Sequence, residues 1–211
     1  MMHYPKSKTA FLLIDPFNDF LSPFGKTWPV LRDVSKDVNL MHNLRKAVEL
    51  ARREGLQVVY APHHKYRKGS YADRKYLHPS QYLQSVSRMF GASSYGGKFH
   101  KHFQPNERDI IASEHECSSG FVGTDLQAVL EEHGISHLIL AGLLSNTCVE
   151  STARSAIDLG YHVTLLPDCV ATWSRADHMA AVDHSYKHLG HQILSLSELE
   201  VALRKSAIAH A

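Results

Sequence analysis

The sequence predicts an α/β fold: a three-layer α/β/α sandwich around a central six-stranded, mainly parallel sheet. Short apolar runs of strand length alternate along the chain with segments of helical period, the pattern of a parallel sheet covered by helices on both faces. The chain has 211 residues, enough for one domain spanning residues 1–211 that buries roughly 70% of its unfolded surface in a single core. Three chemistry-bearing residues, Asp15, His115 and Cys148, fall at the carboxyl ends of predicted strands, where open α/β sheets bind ligands.

The first strand is placed at residues 10–14. A helix follows over 38–54, with Leu40, Leu44, Ala47, Val48 and Ala51 on one face and a stop at Gly55. The second strand is 58–61. Residues 62–108 are long, rich in Tyr, His, Gly and Ser and weak in periodicity, so they are expected to form an excursion with short helical pieces, and loops of such length are usually functional. A third strand is placed at 109–112, a helix capped by Thr124 at 124–133 and a fourth strand at 137–141. Cys148 is expected to open a helix running to Leu159 and ending at Gly160. The fifth strand is 163–166, Ser174 caps a helix to about Leu189, and the sixth strand at 192–196 precedes a short closing helix.

Composition narrows the class of function. Twenty-three Lys and Arg against 21 Asp and Glu, with the signs interspersed, leave no basic footprint for nucleic acid. The 16 histidines are scattered from His3 to His210 without HExxH or a similar zinc spacing. Cys117, Cys148 and Cys169 make an odd set without CxxC spacing, which argues against a disulfide framework or structural zinc and fits a reducing cytoplasm. Met1-Met2-His3-Tyr4-Pro5-Lys6 is followed by no apolar stretch of signal-peptide length, because Asp15 interrupts the first hydrophobic run. No segment reaches the ~20 apolar residues of a membrane span, so no membrane partner is expected.

The run Leu140-Ala141-Gly142-Leu143-Leu144-Ser145-Asn146-Thr147-Cys148-Val149 breaks an apolar strand at glycine and brings a cysteine to a helix start. Unpaired N–H groups and the positive end of the helix dipole there are expected to pull a thiol below its free pKa of about 8.5, making Cys148 a candidate nucleophile. Its bland alternative is a small buried apolar side chain. Asp15 ends the most hydrophobic strand, Phe11-Leu12-Leu13-Ile14, where a partly desolvated carboxylate beside a thiol can shuttle a proton; the alternative is a capping acid.

Three segments in order, Leu13-Ile14-Asp15-Pro16-Phe17-Asn18-Asp19-Phe20, Ser119-Gly120-Phe121-Val122-Gly123-Thr124-Asp125-Leu126 and Gly142 through Arg154, resemble the isochorismatase-like cysteine hydrolases, which include nicotinamidases, N-carbamoylsarcosine amidase and ureidoacrylate amidohydrolase. Asp168-Cys169-Val170-Ala171-Thr172 also resembles that superfamily, so the likeness covers about residues 8–198. It implies the isochorismatase-like, Rossmann-like form of the sandwich, with Asp15 as general acid/base and Cys148 as nucleophile. The superfamily's third residue is a lysine six positions before the Phe of its SxF motif. Counting back from Phe121 reaches His115, a departure. Lysine supplies a permanent cation, whereas histidine is one only below a pKa near 6.5 unless a carboxylate raises it. Glu114 and Glu116 flank His115 on opposite faces, which leaves Asp15 as its expected partner. Lys98 and Lys101 are alternative sources of the cation.

The resemblance further implies a cis peptide between Leu143 and Leu144, with the N–H groups of Leu144 and Cys148 converging on a substrate oxygen. Phe17, His63, His64, Phe121, Ser145 and Asn146 are expected to face substrate, with Trp28 and residues 95–99 as aromatic walls. The nicotinamidase branch holds a metal through Asp-x-His, but here Pro62-His63-His64 lacks the aspartate, so neither metal nor cofactor is expected. The implied activity is hydrolysis of an amide or ureido C–N bond in a small molecule through a thioester, by a cytoplasmic homodimer or homotetramer. Vinyl-ether hydrolysis of the isochorismatase type, and a non-catalytic small-molecule-binding protein, remain the alternatives.

Overall fold

The computed structural model describes residues 4–208; Met1, Met2, His3 and His210, read above, lie outside the described residues. Strands β1 (Thr9–Ile14), β2 (Gln57–Ala61), β3 (Ile110–Ile111), β4 (His137–Leu143), β5 (His162–Ala171) and β6 (Gln192–Ile193) form one sheet in the order β3-β2-β1-β4-β5-β6. Every pairing in it is parallel, so the expected mainly parallel sheet is wholly so.

Strand alternation divides the apolar residues between two cores. Phe11 and Leu13 of β1 join Leu44 and Val48 of helix α3 (Leu40–Arg53) and Leu199 of α9 (Leu196–Ile208). Ala10, Leu12 and Ile14 join Ala153 and Ala156 of α6 (Glu150–Asp158) and Tyr186 of α8 (Tyr186–Leu189) on the other face. Both faces of β1 are thus covered, which is why it reads as an unbroken apolar run. Each fully buried Leu, Ile or Phe contributes about 1.5–3 kcal/mol.

Several boundaries differ from expectation, each for a local reason. The helix placed at 38–54 starts at Leu40, because Val38 closes α2 (Trp28–Asp37), a helix the sequence reading lacked. Asn39 between them is left-handed at φ 51° and separates the two helices. In place of a helix capped by Thr124, α5 (Leu126–Glu132) follows Asp125, and Thr124 Oγ1 accepts a longer 3.3 Å bond from the Leu126 N–H. The fifth strand continues to Ala171 through a register shift against β4 between Leu140 and Gly142, so Asp168 and Cys169 lie within it. The sixth strand stops at Ile193 because Leu196 begins α9. Ser174 does cap its helix, accepting from the Asp177 N–H at 3.1 Å, but α7 (Arg175–Ala180) passes through a π-helical turn, Ala181–Ser185, before α8.

The excursion after β2 carries α4 (Pro79–Ser87), opened by a capping box between His78 and Gln81. Its return is anchored by Asp19, in the short helix α1 (Asn18–Leu21), whose buried carboxylate accepts from the N–H groups of Lys26 at 3.0 Å and Phe90 at 2.6 Å. Among the described residues no helix is long and apolar enough to cross a membrane.

Candidate active site

The order in which strands are added reverses between the parallel neighbours β1 and β4, and the crevice beyond that switch point is where such sheets gather ligands. Gly142 makes the close approach possible. Its φ is 121°, and a Cβ there would stand 2.1 Å from the Ile14 carbonyl oxygen, so only glycine lets β4 lie this tightly beside the end of β1. The residue that follows β1 is Asp15, itself left-handed at φ 53°, a conformation an aspartate tolerates better than most. The peptide between Leu143 and Leu144 is cis.

Asp15, His115 and Cys148 meet there, all buried, with one donor atom from each lying within 4.8 Å of the others. His115 arrives from the segment after β3, held by a parallel bridge to His63 beyond β2. Its Nε2 lies 3.1 Å from Asp15 Oδ1 and its Nδ1 3.2 Å from the Cys117 carbonyl oxygen. A carbonyl only accepts, so Nδ1 carries hydrogen; the Nε2 contact with a carboxylate oxygen then requires one further proton, held by ring or carboxyl. With Oδ1 engaged in this way, Asp15 Oδ2 is buried without a hydrogen-bond partner among the described residues. A bare carboxylate oxygen at this depth is costly unless something takes it up.

Cys148 does stand at a helix start, in a π-helical first turn, Ser145–Val149, that follows the extended Leu144 and runs on into α6. The expectation that this position lowers its pKa is corrected. Burial pushes its thiol well above the ordinary range, and the negative charge of Asp15 pushes the same way; the Leu144 N–H and the Thr147 hydroxyl pull back more weakly. The resting residue is a thiol.

His63 lies beside His115, with ring centroids 4.8 Å apart. Burial, reinforced by His115, lowers its pKa to about 4, so the ring is neutral at pH 7. Its Nδ1 donates to the His64 carbonyl at 3.3 Å, which leaves Nε2 as an acceptor.

Cys148 opens onto a cavity of about 140 Å³ that His63 also lines. Of the six residues expected to face substrate, His63 is the one that lines this cavity. Phe17 is wholly buried between Phe90 and Phe99. His64 turns to Ser70 and Glu114, and Phe121 packs on Tyr161. Ser145 is bonded to His178 Nδ1 at 3.0 Å and Asn146 to the Thr172 hydroxyl at 2.6 Å, so these two fix the turn that carries Cys148. Lys98 and Lys101 line a separate cleft together with Tyr95. Trp28 is likewise replaced as a wall by Trp173, which closes the cavity with Phe20, Leu83, Met89 and Phe90. Sequence reading missed this wall and the Cys117 carbonyl. The one legible trace was His78-Pro79, a capping side chain before a proline suited to a first helical turn, which announces α4.

Comparison with known proteins gives the family and the fold. Ureidoacrylate amidohydrolase of Acinetobacter baylyi is 29% identical over 171 residues, covering 76% of this chain and 69% of the relative. The enzyme of the same name from Yersinia enterocolitica is 27% identical over 194 residues, 87% of this chain and 81% of the relative. Among solved structures, a cysteine hydrolase of Pseudomonas syringae superposes with a TM-score of 0.80 at 20% identity, covering 98% and 97% of the two chains, and shares the fold. N-carbamoylsarcosine amidase of Thermoplasma acidophilum gives 0.70 at 26% identity, covering 90% of this chain and 98% of the other. The isochorismatase domain matches residues 9–197, from the first residue of β1 into the start of α9 and across all three residues of the site, so this chain belongs to the isochorismatase family.

Proposed function

We propose that this protein hydrolyses a C–N bond in a small carboxamide or ureido compound, with Cys148 as nucleophile and Asp15 as the proton carrier. The observation that carries the reading is a buried thiol beside a buried carboxylate whose Oδ2 has no hydrogen-bond partner among the described residues. The relatives named for amidohydrolase and amidase activity support the class of bond. A cavity of about 140 Å³ suits a compact substrate, being well below the ~300–1,000 Å³ that drug-sized ligands occupy.

Chemistry follows from which atoms face one another. The Cys148 proton passes to Asp15 Oδ2 as sulfur attacks the carbonyl carbon, and the S–C bond forms while the carbonyl oxygen becomes an oxyanion. The N–H groups of Leu144 and Cys148 are assigned to that oxyanion. Asp15 returns the proton to nitrogen as the C–N bond breaks, leaving a thioester. Water then gives a proton to Asp15, attacks the thioester carbon and releases the acid, and the thiol regains its proton from Asp15. His115 holds Asp15 Oδ1 throughout, so that Oδ2 stays aimed at sulfur. Its role is positional and electrostatic, the part the related hydrolases give to lysine. A thiol kept protonated at rest fits this sequence, because ionisation is then coupled to substrate attack.

Cys148→Ala tests the covalent route. Turnover is expected to fall to the uncatalysed level while binding of a substrate amide, followed by calorimetry, stays within about threefold. Retained turnover would instead support water attack driven by Asp15, the vinyl-ether type of chemistry.

A further inference from the structure

We infer that the cluster of Asp15, His115 and Cys148 is also a binding site for a single borderline-soft divalent metal ion of the zinc type, which caps the thiol. The donor set is one carboxylate oxygen, one imidazole nitrogen and one sulfur, the mixture that Zn²⁺ and Co²⁺ accept and that Mg²⁺ and Ca²⁺ do not. Two independent features support it. The three donor atoms already lie within 4.8 Å of one another. In addition, Asp15 Oδ2 is a buried oxygen without a hydrogen-bond partner among the described residues, and the thiol set beside the Asp15 carboxylate, Cys148, is itself a ligand.

Tetrahedral zinc, with bonds of ~2.0–2.3 Å, sets its ligands roughly 3.3–3.8 Å apart, so the widest separation must close by about 1 Å. His115 Nε2 and Asp15 Oδ1 already stand 3.1 Å apart. Sulfur, the one donor that faces the cavity, gives the ion its way in, and a fourth coordination position is left open toward the cavity. The proton balance is explicit: the S–H bond is replaced by S–metal, the proton held between His115 and Asp15 leaves as Nε2 turns its lone pair to the ion, and two protons go to solvent for each ion bound. The Nδ1–H bond to the Cys117 carbonyl fixes the ring so that Nε2 is the ligating nitrogen.

Neighbouring groups do not compete for the ion. His63 is the nearest other imidazole, and its Nδ1 is committed to the His64 carbonyl. Cys169 is buried in the opposite core beside Asp168, and a metal held there would leave Cys148 reactive.

The test uses the full chain, stripped with chelator and titrated with Co²⁺ alone. One ion per chain is expected, with a thiolate-to-cobalt charge-transfer absorption that Zn²⁺ abolishes by displacement. Zn²⁺ is also expected to protect Cys148 from alkylation by at least tenfold, read by peptide mass spectrometry against Cys117 and Cys169. In His115→Lys, where the ammonium keeps a donor for Asp15 but has no lone pair, affinity for Co²⁺ is expected to fall at least about 100-fold. Cys148→Ala, a small deletion from the folded chain, is expected to lose the charge-transfer band even if the lysine variant does not fold. No such band in the unmodified chain, or a band that survives Cys148→Ala, would overturn the inference. These readouts do not depend on turnover, so failure of the proposed hydrolysis and failure of the metal site are told apart.

Discussion

Burial and the neighbouring Asp15 oppose the ionisation of Cys148, and this opposition is the central electrostatic fact of the site. Burial and the carboxylate both hold the thiol protonated. Removing the charge of Asp15 therefore has two effects of opposite sign. In Asp15→Asn the Cys148 pKa is predicted to fall, so alkylation by iodoacetamide at pH 7 becomes faster than in the unmodified protein. Turnover is predicted to drop about 10²–10⁴-fold, because the proton carrier is gone. Faster alkylation together with slower catalysis would separate thiolate formation from proton transfer. An Asn variant that alkylates more slowly would contradict the assignment of charges. The trio itself was legible in the sequence because each member stands at a strand end. The direction of the thiol's shift was not, since it depends on burial and on a carboxylate from the far side of the crevice, and neither is a property of the residues around Cys148.

Elements of the sheet were readable because a strand buried on both faces is a continuous apolar run, as in Phe11-Leu12-Leu13-Ile14. Helix α2 was not: it contains Pro29 and buries only Leu31, Val34 and Ser35, so its apolar stripe is thin. The excursion was still less legible, because its order comes from distant contacts and not from periodicity. Asp19 is the chief of these. Its carboxylate holds the N–H of Phe90, a cavity wall, and Gly96 packs so closely that a Cβ there would stand 2.2 Å from Oδ1. Hydrogen bonds to a charged acceptor contribute about 1.5–3 kcal/mol each. Asp19→Ala is predicted to loosen residues 88–97, seen as faster proteolytic cleavage within them, and to raise KM by more than it lowers kcat, because Phe90 shapes the cavity without touching the reacting atoms. Unchanged proteolysis would show that the excursion is held elsewhere.

At the scale of the molecule, buried histidines couple folding to pH. Burial, the largest cause in each case, lowers the pKa of His63, His100 and His162 to about 4. The unfolded chain takes up protons on these rings near pH 6.5, whereas the folded chain does so only near 4. The stability they contribute is therefore fully present above pH 6.5 and is lost as pH falls toward 4. His63 accounts for a change on the order of 3 kcal/mol. Denaturant unfolding measured at pH 7 and pH 4.5 is predicted to show this loss, and His63→Gln is predicted to reduce it. An equal loss in the variant would assign the acid sensitivity to other groups. The sequence displayed the number of histidines but not which of them the fold encloses.

In the proposed reaction Cys148 becomes covalently acylated and Asp15 carries the proton. The most direct test is acid-quenched peptide mass spectrometry during turnover of a panel of small carboxamides and ureido acids. The predicted result is an acyl adduct confined to Cys148 that appears and decays with product formation, and that forms far more slowly in Asp15→Asn. Product release with Cys148 unmodified at every quench time would rule out the acyl-enzyme route.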